Sequence, residues 1–348
     1  TLASVMLLGM MVLGTSAAVA YPDVTDDHNV EAIEVLQAVG VMSGSNNGNF
    51  NPDAKISRIE MAIVMANLLN LDVNYFQGQN TFSDVPGWAS GYVAACEASG
   101  IVNGVGGGRF GTGNVTATQA ALMMLKALGY FQYNSDFGNN WARATALQAS
   151  KIRLFDGINA QDNTQLDRNQ VAQLALNALK ADMVDPDASG KLDITTPDGT
   201  TVSNGNVNYV VRTTDAAFAN AIDDSATSNS GSSIDGRSGS IIQLGEQLYN
   251  GDLKLDKDVP DDFGRPSNTW TYKNDKIGTY ANKTELIASY DAKVSKGDLY
   301  SLLSSTVRKS LSDGDSDLTV WVDGVEINGT NAATYGALSP AAPGNYWD

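Results

Sequence analysis

Cysteine and histidine are almost absent from this chain: Cys96 and His28 are the only ones among its 348 residues. A single thiol excludes an intramolecular disulfide, and no Cys/His spacing of zinc-site type occurs. Cys96 lies in the apolar run Val93-Ala94-Ala95-Cys96 without a histidine motif nearby, so it reads as a small buried residue and not as a nucleophile. His28 reads as a polar residue at a loop-to-helix junction. Basic residues are also scarce, with 22 Lys and Arg against 39 Asp and Glu and a formal charge of −17. That argues against nucleic acid, whose phosphates need clustered cations, and against a diffuse attraction to anionic membranes. An anionic partner must be gripped by a few local basic groups. Charge is missing altogether from residues 1–20, and their apolar run from Val5 to Leu13 is too short to span a bilayer. Ala18-Val19-Ala20 fits a cleavage site before Tyr21, so residues 1–20 read as a signal peptide, incomplete at its N-terminus, and the protein as exported.

After that segment an order of features repeats. The first stretch runs Asp23-Val24, Gly40-Val41-Met42-Ser43-Gly44, Phe50-Asn51-Pro52 and Ser57-Arg58-Ile59-Glu60. The second runs Phe82-Ser83-Asp84-Val85, Trp88-Ala89, Gly100-Ile101-Val102-Asn103-Gly104, Phe110 and Thr116-Ala117-Thr118-Gln119. Asp23 and Asp84 stand 61 residues apart, while Gly44 and Gly104, and Phe50 and Phe110, stand 60 apart. A looser third stretch has Trp141-Ala142, Ile152, Gly157 and Asp167-Arg168-Asn169-Gln170. A fixed period of this length marks an array of similar units.

Each unit reads as two helices around a glycine-bearing loop. Ile59, Ala62, Ile63, Ala66 and Leu69 recur at helical spacing and predict one apolar face. Ser57 with Glu60 forms a capping box before that run, and Thr116 with Gln119 and Asp167 with Gln170 repeat it in phase. Gly40, Gly100 and Gly129 follow helical stretches, where a left-handed cap residue is expected. For Gly44, Gly104 and Gly157 two readings stand: turn geometry, or close approach of a ligand to the backbone. One unit is too small to bury both its helices, so the triplet should fold as one domain with grooves between neighbours as ligand sites.

These motifs resemble S-layer homology repeats, over about residues 21–184. The resemblance places the repeats at 21–74, 75–132 and 133–184. It implies an α-helical triplet built on a pseudo-threefold three-helix central bundle. It also implies non-covalent binding of secondary cell-wall polysaccharide, commonly through pyruvylated, carboxylate-bearing sugars. Its Thr-Arg-Ala-Glu motif is matched by Ser57-Arg58-Ile59-Glu60 and Asp167-Arg168-Asn169-Gln170, but unit two carries Ala117 where the arginine belongs. Arg58 and Arg168, in the first turns of their helices, suit a carboxylate; the competing reading is an exposed ion pair. With the caps Ser57 and Asp167, the glycines Gly44, Gly104 and Gly157, and Asp23, Asp84, Trp88 and Trp141, they form the candidate polysaccharide-binding set. Trp88 and Trp141 read first as core anchors and second as stacking surfaces for sugars. Asp23 and Asp84 read first as caps of the segment that follows them. The missing arginine puts the second unit's groove in doubt and leaves one or two competent sites.

Residues 185–348 read as an acidic β-rich region, all-β or α+β, with a Ser/Gly/Asp segment near 223–240. Thr195 to Val202 and Leu318 to Ile327 place Asp-Gly between β-prone residues, as tight hairpins do. Asn208 to Arg212 and Thr269 to Lys273 read as strands, and Thr284 to Tyr290 and Leu299 to Leu311 as helices. Asp185 to Gly190 imitates the start of a calcium loop, but Thr196 stands at the twelfth position, so a linker is favoured and no metal is expected. Asp313, Asp315 and Asp317 read as a turn, and Asp261-Asp262 as solvated acid. No phosphate loop or nucleophile elbow occurs, so neither cofactor nor enzymatic activity is expected. The expected role is a surface-layer or surface-anchored structural protein at the cell wall, with self-association in a lattice and no membrane insertion. A wall-anchored polysaccharide hydrolase with its catalytic domain beyond this chain, and an adhesin, are the rivals.

Overall fold

The computed structural model describes residues 21–25, 27–187, 207–214, 240–249, 251–261, 266–282, 300–301 and 303–311. It also describes the strand segments 192–195, 201–204, 294–295, 321–322, 325–326 and 346–347. The described residues divide between two compact units, one within Thr1–Leu255 and Trp270–Gly278, the other within Asp256–Thr269 and Thr279–Asp348. The signal segment 1–20, residues 223–239, the helix expected at 284–290 and the aspartates at 313, 315 and 317 lie outside the described residues.

Six helices come first: α1 (Val30–Ala38), α2 (Arg58–Leu68), α3 (Ser90–Ala98), α4 (Ala117–Ala127), α5 (Trp141–Lys151) and α6 (Arg168–Lys180). All three expected capping boxes form, with Ser57, Thr116 and Asp167 each accepting from the backbone N–H three residues on. The apolar face expected on α2 is shifted and widened: Met61, Val64, Met65 and Leu68 are buried along with Ile59, Ala62 and Ala66, whereas Ile63 and Leu69 are only half-buried. A helix apolar on most sides is an interior helix. Gly40, Gly100 and Gly129 all adopt positive φ after their helices, as left-handed caps do.

The second helices are joined at their N-terminal ends by a closed circuit of backbone hydrogen bonds. Ile56 N donates to Leu166 O at 3.1 Å, Leu166 N to Val115 O at 3.0 Å, and Val115 N to Ile56 O at 2.9 Å. These three side chains are almost wholly buried. The next N–H groups repeat the pattern: Arg58 N donates to Gly113 O, Ala117 N to Thr164 O and Arg168 N to Ala54 O. Donors that a helix end ordinarily leaves open are thus met by a loop of another repeat. The first helices follow the same order, with α3 packed on α2, α5 on α4 and α1 back on α6. That last contact closes the array, and Asn29 N donates to the Asn169 Oδ1 at 2.7 Å across it.

Beyond α6 the chain becomes β-containing. In the first unit β1 (Val184–Asp187) pairs antiparallel with β4 (Asn208–Val211), and β2 (Leu192–Thr195) with β3 (Thr201–Asn204). β5 (Thr213–Thr214) pairs with β6 (Ser240–Ile241), and α7 (Leu244–Tyr249) packs on α6. The seam to the helices is tight: Val184 N donates to Leu128 O at 2.8 Å, and a Cβ on Gly129 would lie 2.1 Å from Val184 O. Trp270, fully buried, donates its indole N–H to Glu31 Oε1 of α1 at 2.7 Å. A three-stranded sheet has the order β7 (Leu253–Pro260), β8 (Pro266–Tyr272), β9 (Asp275–Ala281). The second unit adds β10 (Val294–Ser295) paired with β13 (Tyr346–Trp347) and β11 (Trp321–Val322) paired with β12 (Val325–Glu326).

The expected strands at 208–212 and 269–273 are present within β4 and β8. The second hairpin has the expected register, since Val322 pairs with Val325 and leaves Asp323 and Gly324 between them. In the first, the innermost described pair is Thr195 with Thr201, which is wider than a two-residue turn. The helix expected over 299–311 is divided: Tyr300 and Ser301 are helical, and α8 (Ser305–Ser310) starts anew where Ser304 caps it by accepting from Val307 N. The calcium-like start is also resolved: Asp185 lies in β1, and its carboxylate accepts from Arg212 Nε and Nη2, the latter at 2.8 Å. Among the described residues no cluster of three metal-ligating side chains occurs, and no described helix is long and apolar enough to cross a membrane.

The Gly129 seam gives a stability test. Gly129→Ala should destabilise the protein by at least about 2 kcal/mol, because a methyl group meets a backbone oxygen and φ is +104°. Gly113→Ala, with open space around it, should stay within about 0.5 kcal/mol. Urea denaturation of both variants measures the difference.

Candidate functional site

In the first two repeats an aspartate, a loop and an aromatic ring form one assembly. Asp23 accepts from Phe50 N at 2.9 Å and Asn51 N at 2.6 Å, and Asp84 accepts from Phe110 N at 2.7 Å and Gly111 N at 2.9 Å. The expectation that these carboxylates cap the segment just after them is therefore corrected: each organises a loop some 27 residues on. Two N–H donors directed at the charged form make that contact favourable. Asp84 accordingly has its pKa held below the ordinary value, chiefly by the hydrogen bond from Phe110.

The same assembly accounts for two of the singled-out glycines. A Cβ on Gly44 would lie 2.4 Å from the Tyr21 ring, and one on Gly104 2.5 Å from the Phe82 ring. Each glycine lets an aromatic ring of its own repeat, Tyr21 or Phe82, lie against the loop backbone. Gly157 differs, since its φ of +74° marks turn geometry and the Gln173 side chain lies 3.4 Å away.

Arg58 and Arg168 both occupy the first helical position, as expected, but their guanidinium groups turn into the next repeat in the cycle. Arg58 lies 4.8 Å above the Phe110 ring and donates from Nη2 to Asn103 O at 3.1 Å. Arg168 lies 4.5 Å above the Phe50 ring and donates from Nε to Phe50 O at 2.8 Å and from Nη2 to Ser43 O at 2.7 Å. Among the described residues neither forms an ion pair, so the exposed ion-pair reading is corrected: the residues are only 9% and 7% exposed. Burial lowers both pKa values, yet a guanidinium stays charged at neutral pH. The two environments differ in one respect. Arg168 Nε is bonded, whereas Arg58 Nε is buried and has no partner.

Beside Arg58 lies a groove of about 400 Å³, lined by Arg58, residues 101–105, Gln119, Leu122, Met123, Lys126, Phe137 and Trp141. It draws on all three repeats. Of the candidate residues it brings together Arg58, Gly104 and Trp141. Ser57 and Asp167 serve as helix caps, and Asp23, Gly44, Gly157, Arg168 and Trp88 do not line it. The doubt about the second unit moves accordingly. Its loop faces the arginine of unit one, and the missing arginine affects the junction with unit three. There Ala117 occupies the position, and Thr118 Oγ1 donates to Asp162 O at 2.8 Å instead. The tryptophans are also corrected: Trp88 and Trp141 are 56% and 45% exposed, and after Trp88 it is the small Ala89 that enters the core. Lys126 and Asn103 carry no motif signal; only the seven-residue step from Gln119 to Lys126 places both on one helix face.

Cys96 is fully buried, donates to Ala62 O at 3.3 Å, and has its thiol pushed up to about 12 by burial, the state of an inert core thiol. His28 precedes α1 and accepts from Thr25 N through Nδ1 at 3.0 Å.

The geometry defines a helical repeat array with a cationic, aromatic-edged groove between repeats. The S-layer homology domain model matches residues 20–62 and 81–116, within the first two of these repeats. An S-layer protein of Bacillus thuringiensis subsp. finitimus is 30% identical over 129 residues, 36% of this chain and 16% of that protein. S-layer protein sap of Bacillus anthracis is 30% identical over the same shares, and a surface layer protein of Brevibacillus choshinensis is 28% identical over 192 residues, 52% and 17%. The chain thus aligns with about a sixth of the length of these curated relatives. The matches indicate an exported protein of the cell surface.

Asp84 gives a pH test. Its depressed pKa means that its contribution is present above the unfolded carboxylate pKa of about 3.9 and is lost as pH falls through the lower folded value. Wild type should be more stable than Asp84→Asn at pH 6, and the two denaturation curves should converge as pH falls below about 4.

Proposed function

We propose that the helical half anchors this protein non-covalently to secondary cell-wall polysaccharide, through sugars bearing a carboxylate such as ketal-linked pyruvate. The observation that carries the reading is the buried, unpartnered Arg58 Nε at a groove with an exposed tryptophan. A buried donor without a partner costs about 1–3 kcal/mol, and a carboxylate seated in the groove removes that cost with a charge-assisted bond. Trp141 supplies a face on which a sugar ring stacks. In this reading repeats 21–74, 75–132 and 133–184 build a pseudo-threefold three-helix central bundle, which the cyclic hydrogen bonds support. The protein is a structural component and not an enzyme, and its β-containing part faces outward, where it self-associates in a surface lattice. The S-layer names of its relatives favour this over a hydrolase or an adhesin.

The full chain should sediment with peptidoglycan sacculi that retain their polysaccharide and stay in solution once it is chemically removed. Binding that survives removal would sink the anchoring reading. Arg58→Ala should weaken sedimentation by about tenfold or more, from loss of a charged hydrogen bond, whereas exposed Arg143→Ala should leave it unchanged. Thermal melts of both variants separate lost binding from lost fold.

A further inference from the structure

The three second helices carry equivalent residues seven positions after their N3 caps: Asn67 after Glu60, Lys126 after Gln119, and Asn177 after Gln170. All three do the same mechanical work. Asn67 Nδ2 donates to Val41 O at 3.3 Å, Lys126 Nζ to Gly100 O at 2.8 Å, and Asn177 Nδ2 to Leu154 O at 3.0 Å and Asp156 O at 2.8 Å. Each ties the helix to the loop that follows the first helix of its own repeat. Two neutral amides show that this tether needs no charge. A charge appears at one position alone, and that residue lines the groove beside Arg58.

Among the described residues Lys126 forms no ion pair, and its ammonium has three donors of which one is used there. The residue is half-buried, so solvent screens its charge less than that of an exposed lysine. Gln119 between the two cations is neutral and already tied to its own cap through Oε1. The other two junctions lack this combination. At the Arg168 junction the equivalent of Gln119 is Glu60, whose carboxylate acts on Arg168, and the equivalent of Lys126 is Asn67. Arg168 Nε and Nη2 are also both committed to backbone oxygens there. At the remaining junction Ala117 has replaced the arginine, and no aromatic residue occurs between Gly157 and Leu166 to receive one.

From this we propose that Lys126 is a specificity-determining residue: with Arg58 it makes one groove of the three dicationic, and it selects glycan units that carry a carboxylate over neutral ones. The assignment rests on the anchoring reading. Arg58, Lys126 and Trp141 line the same groove, so a carboxylate there meets the guanidinium and the two unused donors of the ammonium while its sugar lies against Trp141. A neutral sugar leaves the two charges uncompensated.

The test uses the full chain with purified wall polysaccharide, native or carboxyl-reduced, and compares wild type with Lys126→Asn and Lys126→Arg. Lys126→Asn keeps the tether in the form used by the other two helices, so its melting temperature should match wild type. Its affinity for native polysaccharide should fall about tenfold, the loss of one charged hydrogen bond. Its affinity for the carboxyl-reduced form should stay at the wild-type level, and Lys126→Arg should retain the wild-type preference. An unchanged preference in Lys126→Asn overturns the assignment but leaves anchoring intact. Equal losses for both polysaccharides do the same, since they show a structural tether only. Wild type that binds neither form overturns the anchoring reading, and this assignment with it.

Discussion

The helical half of this protein depends on the circuit of backbone hydrogen bonds through Ile56, Val115 and Leu166. Each bond joins two repeats, so no single repeat can satisfy its own helix entrance. The N–H groups that begin α2, α4 and α6 would otherwise be buried donors without partners, each costing about 1–3 kcal/mol. Closure has an entropic cost, since α1 must return to α6 over more than a hundred residues, but that cost grows only logarithmically with length. Fully buried side chains such as Phe50, Met65, Met124 and Leu174 then have a common interior to enter.

The circuit also explains why the groove beside Arg58 lies between repeats and not within one. In the first two repeats the loop after the first helix is shaped by its own aspartate and aromatic residue, as with Asp84, Phe82 and Gly104. The cation at that loop comes from the preceding second helix. Arginine and phenylalanine therefore form one unit split across a junction: Arg58 with Phe110, and Arg168 with Phe50. Where the arginine has become Ala117, the phenylalanine of the facing loop is absent too. A guanidinium without its ring would lose both packing and cation–π attraction, and a ring without its cation would need another cover.

Local features were readable from the chain because their physics is local. A capping box spans four residues, so Ser57-Arg58-Ile59-Glu60 announces its helix without reference to anything else. Gly40 and Gly100 announce left-handed caps for the same reason. Misreadings arose where a partner lies far away in sequence. Asp23 was expected to cap its neighbours, yet the N–H groups it meets belong to Phe50 and Asn51. Trp88 and Trp141 suggested core by size, but the rings are left at the surface, and beside Trp88 the core position is filled by the small Ala89. Lys126 carried no sign of a role, because its equivalents are asparagines and its neighbour Arg58 comes from another repeat.

The sequence by itself determined the period near 60 residues, the three capped helices and the places of the two arginines. Each of these is written in residue type and short spacing. Only the tertiary structure decided which loop each arginine meets, which arginine nitrogen is left without a partner, and which junction holds a second cation. Those outcomes depend on the cyclic order of the repeats, in which every helix entrance is completed by residues of another unit, and no local pattern encodes that order.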